Sequence, residues 1–216
     1  MKKIICFFVC FIFFSAIYAD KGIYTYTASG NIFFYSKNAD RILQLTHSEK
    51  SKHPVLSPDG RWLAFVERSN HIIPGHCGDL ADTGSKYSDE IWIDDLQKMK
   101  LTRLVKNNFN CDSPSKIIVD PKKLIFSPNS KTLYFETSAG ITYDAVRAVN
   151  VDGKNLRLVT YGGEYHVIKN GKYKGDLIVN QHRYRFKGDT SLGSYDWDWL
   201  YSPAGKQIRL WKKENF

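Results

Sequence analysis

The chain has little with which to staple, link or anchor itself. It holds only four cysteines, Cys6, Cys10, Cys77 and Cys111, and none of them forms a Cys-x-x-Cys pair. There is no His-Glu-x-x-His and no phosphate-cradling Gly-rich loop, so no strong catalytic or nucleotide-binding motif is present. Ser/Gly linkers, long charge blocks and low-complexity tracts are also missing, which suits one domain over residues 20–216. No long helix is predicted, because helical periodicity breaks repeatedly on Gly, Asn, Asp and Pro. A single long apolar run occurs, at residues 4–18, and it is shorter than the roughly 20 residues that a spanning helix needs.

That run carries a compartment. Lys2 and Lys3 precede it, and Ala19 and Asp20 follow it. A basic start, an apolar core and a small residue before a polar stretch make a secretory signal, with cleavage expected after Ala19. An uncleaved anchor is the alternative. Cys10 lacks the setting of a lipidation cysteine. Export predicts a periplasmic or secreted protein, and it leaves Cys77 and Cys111 as a pair in an oxidising compartment. One disulfide between them would close about 33 intervening residues and stabilise the fold by roughly 3–4 kcal/mol; two independent buried thiols are the other reading. Removing the two leader lysines takes the formal charge from +9 to +7. An exported chain rarely meets nucleic acid, so anionic envelope lipid or glycan is the better electrostatic partner, and dispersed surface lysine the plainer account.

What the sequence does have is a repeated turn. Ser57-Pro58-Asp59-Gly60 runs into Arg61-Trp62-Leu63-Ala64-Phe65, and Ser127-Pro128-Asn129-Ser130 into Lys131-Thr132-Leu133-Tyr134-Phe135. Proline presets φ at the second turn position, Asp or Asn suits the third, and Gly tolerates a left-handed fourth. Ser130 is the less comfortable occupant of that place. Period-2 runs rich in Ile, Val, Tyr, Phe and Trp recur around these turns, which reads as all-β. Closing hairpins are predicted at 31–46, 91–105, 146–160 and 197–211. Opening hairpins are predicted at the two Ser-Pro turns and at 165–179. A lone strand is expected at 23–26. Starts of the closing hairpins lie roughly 50–60 residues apart, near the period of propeller blades.

The Ser57–Phe65 segment resembles the Ser-Pro-Asp-Gly repeat of TolB-type β-propellers. Asn150-Val151-Asp152-Gly153 through Thr160 resembles that family's closing hairpin, as does Leu43-Gln44-Leu45-Thr46. The likeness covers about residues 30–160. Gly175-Asp176-Leu177-Ile178-Val179 and Ser194-Tyr195-Asp196-Trp197-Asp198-Trp199 look like the close of a short variant. The resemblance implies a propeller of about four blades, the first incomplete, without the separate N-terminal domain of TolB proper. An incomplete ring leaves two solutions: closure within one chain, or a homodimer that completes both.

Candidate chemistry is sparse. The stretch around His71, His76, Cys77 and Asp79 reads as a long loop between two strands of one blade. Its ligand-type residues match no standard metal spacing, so a disulfide-pinned partner-binding loop is expected, with His71, His76, Asp79, Lys86 and Tyr87 as contacts. Asp196 and Asp198 alternate with Trp197 and Trp199, so the carboxylates share one strand face and the indoles the other. Asp196, Asp198 and His182 are candidates to line a central channel, against a structural role in strand packing. Gly188-Asp189-Thr190-Ser191-Leu192-Gly193 resembles a nucleophile elbow only by eye, since it lacks the first glycine and the strand-to-helix setting. Aromatics make up 14% of the chain, which invites glycan stacking, but wedges between radial sheets consume large rings. The expected function is non-enzymatic binding of an envelope protein by loops on one propeller face, with no cofactor. The alternatives are a hydrolase or lyase acting on envelope glycan or peptide at the channel, and charge-driven binding of anionic polymer.

Overall fold

The computed structural model describes residues 22–37, 40–74, 86–110, 113–139 and 144–212. The segment expected as a leader, residues 1–19, and Cys77, Cys111, His76 and Asp79 lie outside the described residues. The architecture is all-β, in four antiparallel sheets. The first holds β1 (Ile23–Ala28), β2 (Asn31–Ser36) and β3 (Arg41–Gln44). The second holds β4 (Ser51–Leu56), β5 (Trp62–Ile72), β6 (Tyr87–Asp95) and β7 (Lys100–Val105). The third holds β8 (Lys122–Phe126), β9 (Thr132–Ser138), β10 (Asp144–Asn150) and β11 (Arg157–Tyr161). The fourth holds β12 (Gly163–Val167), β13 (Leu177–Lys187), β14 (Thr190–Tyr201) and β15 (Gln207–Lys212). Every sheet follows chain order, so each is a meander of hairpins. No helix among the described residues is long and apolar enough to cross a membrane.

Two compact units divide between Ser51 and Lys52. In the first, β1 and β2 pair from Ile23↔Ser36 to Ala28↔Asn31, with Tyr26 stacked on Phe33 at 5.3 Å. The Thr46 hydroxyl accepts from the Ile32 amide at 2.8 Å, and the Asn31 side-chain carbonyl from the Glu49 amide at 3.0 Å. These bonds satisfy backbone donors where the chain leaves the sheet.

The second unit is built on the third sheet, which is buried on both faces. Leu133, Phe135 and Val149 pack with Ala64, Val66, Ile91 and Ile93 of the second sheet. Tyr134, Val146 and Ala148 point the other way, against Tyr165, Leu177, Val179 and Tyr201 of the fourth. Alternate residues thus fill two different cores, which is why Leu133-Tyr134-Phe135 of β9 is apolar at successive rather than alternate positions.

The Ser-Pro turns are built alike. The Ser57 hydroxyl donates to Asp59 Oδ1 at 2.6 Å and accepts from the Trp62 amide at 2.8 Å, while Asp59 Oδ1 accepts from the Arg61 amide at 3.0 Å. Ser127, Asn129, Thr132 and Lys131 repeat the set at 2.7, 3.0 and 3.1 Å. Only an acceptor is needed at the third position, so Asp and Asn serve equally. Ser130 does take the left-handed conformation, at φ 59°. Its hydroxyl accepts from the Asp59 amide at 3.0 Å, so the residue that fits the turn less well ties the second sheet to the third.

Candidate functional site

Each sheet of the second unit has two ends. One carries the Ser-Pro turns and the tight turns after β6, β10 and β14. The other carries the hairpins joining β5 to β6, β9 to β10 and β13 to β14, and there the charged groups collect.

In the second sheet, Asp89 and Glu90 open β6 and are almost fully buried. Lys52 Nζ reaches Asp89 at 2.7 Å, and Arg103 reaches Glu90 at 3.4 Å. His71 Nδ1 lies 3.6 Å from Glu90 and 3.1 Å from Asn107 Nδ2, and Asn107 also donates to Ser88 at 2.7 Å. His71 belongs to the end of β5 rather than to a loop. Lys86 and Tyr87, both exposed, stand where the chain returns to β6. Among the five loop candidates, the structure therefore places His71, Lys86 and Tyr87 at one strand end.

The third sheet repeats the pattern. Glu136 is fully buried against Lys123 Nζ at 3.1 Å, and Lys122 pairs with Asp144 at 3.0 Å. Burial holds Asp120 above the ordinary carboxylate range, with Lys122 and Lys52 opposing the shift. His53, Lys123 and Glu164 occupy comparable places early in β4, β8 and β12, and all three have positive φ, at 54°, 48° and 50°. In β8 and β12 the register shifts at that residue, as a bulge requires.

The fourth sheet departs from the others. β12 covers β13 only from Leu177 to Asn180, and β15 covers β14 only from Asp198 to Tyr201. Beyond those limits, among the described residues, β13 and β14 continue as a two-stranded ribbon, paired from Gln181↔Trp197 to Lys187↔Thr190. Such a ribbon is marginal by itself, and one face braces it. Arg183 donates to Gln181 at 3.0 Å and Gln207 at 2.6 Å, and lies 3.9 Å from the centre of the Trp199 ring. The Tyr195 ring packs against Trp197 with centroids 3.9 Å apart and planes tilted by 40°, and the Tyr201 hydroxyl donates to Gln181 at 2.9 Å. The other face is bare. His182 pairs with Asp196 at 2.9 Å, both exposed, and Tyr184 and Phe186 are each 64% exposed. Asp198 sits one step inward, where it accepts from Asn180 at 3.0 Å. A groove of about 750 Å³ opens beside His182, lined by Thr160, Tyr161, Gly162, Arg183, Tyr184 and Asp196 among others.

Sequence reasoning passed over this ribbon. Its signal was there: His182, Tyr184 and Phe186 alternate with Arg183, Arg185 and Lys187. Neither set is a run of aliphatic core residues, so the alternation does not look like a half-buried strand.

No protein-family model matches the chain, and no curated protein matches it. Solved structures do. Dipeptidyl peptidase 4 from Porphyromonas gingivalis superposes with TM-score 0.60 at 11% identity, over 90% of this chain and 31% of that one. The β-propeller domain of the trilobed protease from Pyrococcus furiosus gives 0.52 at 13% identity, over 88% and 53%. The fold is a β-propeller. Among the described residues its first blade has three strands and its other three have four. TolB from Acinetobacter baumannii aligns at TM-score 0.46 and 12% identity, over 87% of this chain and 40% of that one, too weakly to carry an argument. The chain spans about half the length of the Pyrococcus propeller domain and under a third of the peptidase. At such identities the likeness concerns the propeller alone, since propellers host many functions.

Proposed function

We propose that this propeller is an exported, non-enzymatic binding module that presents the hairpin end of its blades to an envelope protein. One observation carries the reading. The turn end closes its hydrogen bonds on itself, whereas the hairpin end extends a braced ribbon that exposes Tyr184 and Phe186. Large rings held out on a rigid support lose little entropy on docking and make good anchors. The His182–Asp196 pair has the form of a base oriented by a carboxylate. However, the nearby Thr160 hydroxyl is engaged, accepting from Gln181 at 2.9 Å and donating to the Tyr161 carbonyl at 3.2 Å.

The test is a crosslinking pull-down from envelope extract at low and high salt, with the double variant Tyr184→Ser, Phe186→Ser in parallel. One protein captured at both salts by the parent and lost by the variant supports the reading. Capture only at low salt, or of glycan without protein, points instead to charge-driven binding of an anionic polymer. Capture that ignores the double variant removes the ribbon from the site.

A further inference from the structure

Resting on that reading, we infer that the open edge of β13 takes up an extended, acidic segment of the partner as an added strand. Three observations converge on that edge.

The first is a vacancy in the pairing. β12 stops at Gly163↔Asn180, yet β13 runs on to Lys187. From Gln181 onward, β13 pairs only with β14 among the described residues. Backbone donors and acceptors along an unpaired edge form a template for another strand.

The second is room. The groove of about 750 Å³ lies where β12 leaves off, with Gly162 at its head. Gly162 has φ 132°, and a Cβ there would stand 2.5 Å from the Asn180 carbonyl and 2.9 Å from the Gln181 side chain. Only glycine lets the chain pass so close to β13 and then turn away from it. An added strand would extend the line of β12 past this point, with side chains falling alternately on the two ribbon faces.

The third is charge. Between 181 and 187, β13 holds Arg183, Arg185 and Lys187 on one face and no carboxylate. The opposite edge, on β14, holds Asp196 and no cation between 190 and 197. Complementarity therefore selects β13 over β14 and acidic side chains over basic ones. The incoming strand sets acids beside Arg185 and Lys187, and apolar residues beside Tyr184 and Phe186 on the other face. A bilayer is a poorer fit, because the ribbon tip is Lys187-Gly188-Asp189-Thr190 and the exposed rings lie along its side.

The experiment is amide hydrogen exchange of the full chain with two synthetic probes, an alternating glutamate–valine octapeptide and its lysine–valine counterpart. The expected result is exchange slowed by about tenfold or more at 182–187 with the glutamate peptide alone. N-methylation of alternate peptide amides should abolish it, since that removes ladder donors and leaves the charge. The variant Arg185→Glu, Lys187→Glu changes two exposed side chains and should reverse the preference between the peptides. Protection elsewhere, binding indifferent to N-methylation, or no binding of the glutamate peptide overturns the inference. If capture in the pull-down still depends on Tyr184 and Phe186 while the edge stays unprotected, the binding module stands and strand addition falls. If capture ignores the ribbon, both fall.

Discussion

The two ends of blades two to four solve the same problem in opposite ways. Every strand end leaves polar backbone groups to be satisfied. In the Ser-Pro turns of blades two and three, a serine hydroxyl and an Asp or Asn side-chain oxygen close the turn within five residues, with Asp59–Ser130 and Arg61–Asp95 as the longer-range additions. At the hairpin end, the buried carboxylates of Asp89, Glu90 and Glu136 are instead met by cations on other strands, through Lys52–Asp89, Arg103–Glu90 and Lys123–Glu136. Closure inside a short turn makes a repeatable element. Pairing between strands lets each blade differ, and the fourth differs enough to carry an overhanging ribbon.

The largest effect should come from removing what both ends share. Phe135 is fully buried between blades two and three. Phe135→Ala should lower stability by about 3–5 kcal/mol in urea unfolding, and an equal loss at both ends would show one cooperative body. Breaking the turn end comes next. Ser127 is nearly buried, donates to Asn129 and accepts from the Thr132 amide. Ser127→Ala should cost about 1–3 kcal/mol by stranding that amide. A near-neutral result would mean the proline alone shapes the turn.

Acid sharpens the contrast. Asp59, at the turn end, is held below its ordinary range: burial pushes it up, but donation from Ser57 and the Arg61 amide outweighs burial. Its contribution is present above the ordinary value of 3.8 and is lost as pH falls through the lowered one. Asp120, at the hairpin end, is pushed above 3.8 by burial. Its folded form holds the proton more tightly, so its contribution is lost as pH rises from 3.8 through the raised value. Asp120→Asn should therefore raise stability near neutral pH, whereas Asp59→Asn should flatten the acid limb of a pH–stability profile. The smallest effect belongs to the ribbon. Tyr184→Ser with Phe186→Ser should shift stability by only about 0.5 kcal/mol per site, because both rings are mostly solvated. Capture of a partner should nevertheless collapse.

This contrast also governs what could be read from the chain. The hairpins β6–β7, β10–β11 and β14–β15 were legible because their turns and alternation are local. So was the chemistry of Ser57 and Ser127. The three strands that blade one shows among the described residues could be read as an incomplete first unit. By contrast, the extent of β13 and β14 was hidden, because both faces of 181–196 are solvated or braced by Arg183 and Gln207, and no aliphatic stripe marks them. Glu136–Lys123 and Lys52–Asp89 were hidden for another reason. They depend on register and bulges, which composition does not reveal. His182 and Asp196 were singled out separately, and only the register across β13 and β14 makes them a pair.

The hydroxyl of Ser130 on the Asp59 amide has a consequence for how such a chain can be rebuilt. Two copies of a motif invite treatment as interchangeable bricks. Here the third blade offers a hydroxyl and the second offers the amide that receives it, so the bricks have a lock and a key. Exchanging the two turns would put a glycine where the hydroxyl is needed and a serine at position 60, where nothing lies within 4 Å of the added Cβ. Order along the chain is thus written into a fourth turn position, and a shuffled or duplicated blade would have to reinvent its own seam.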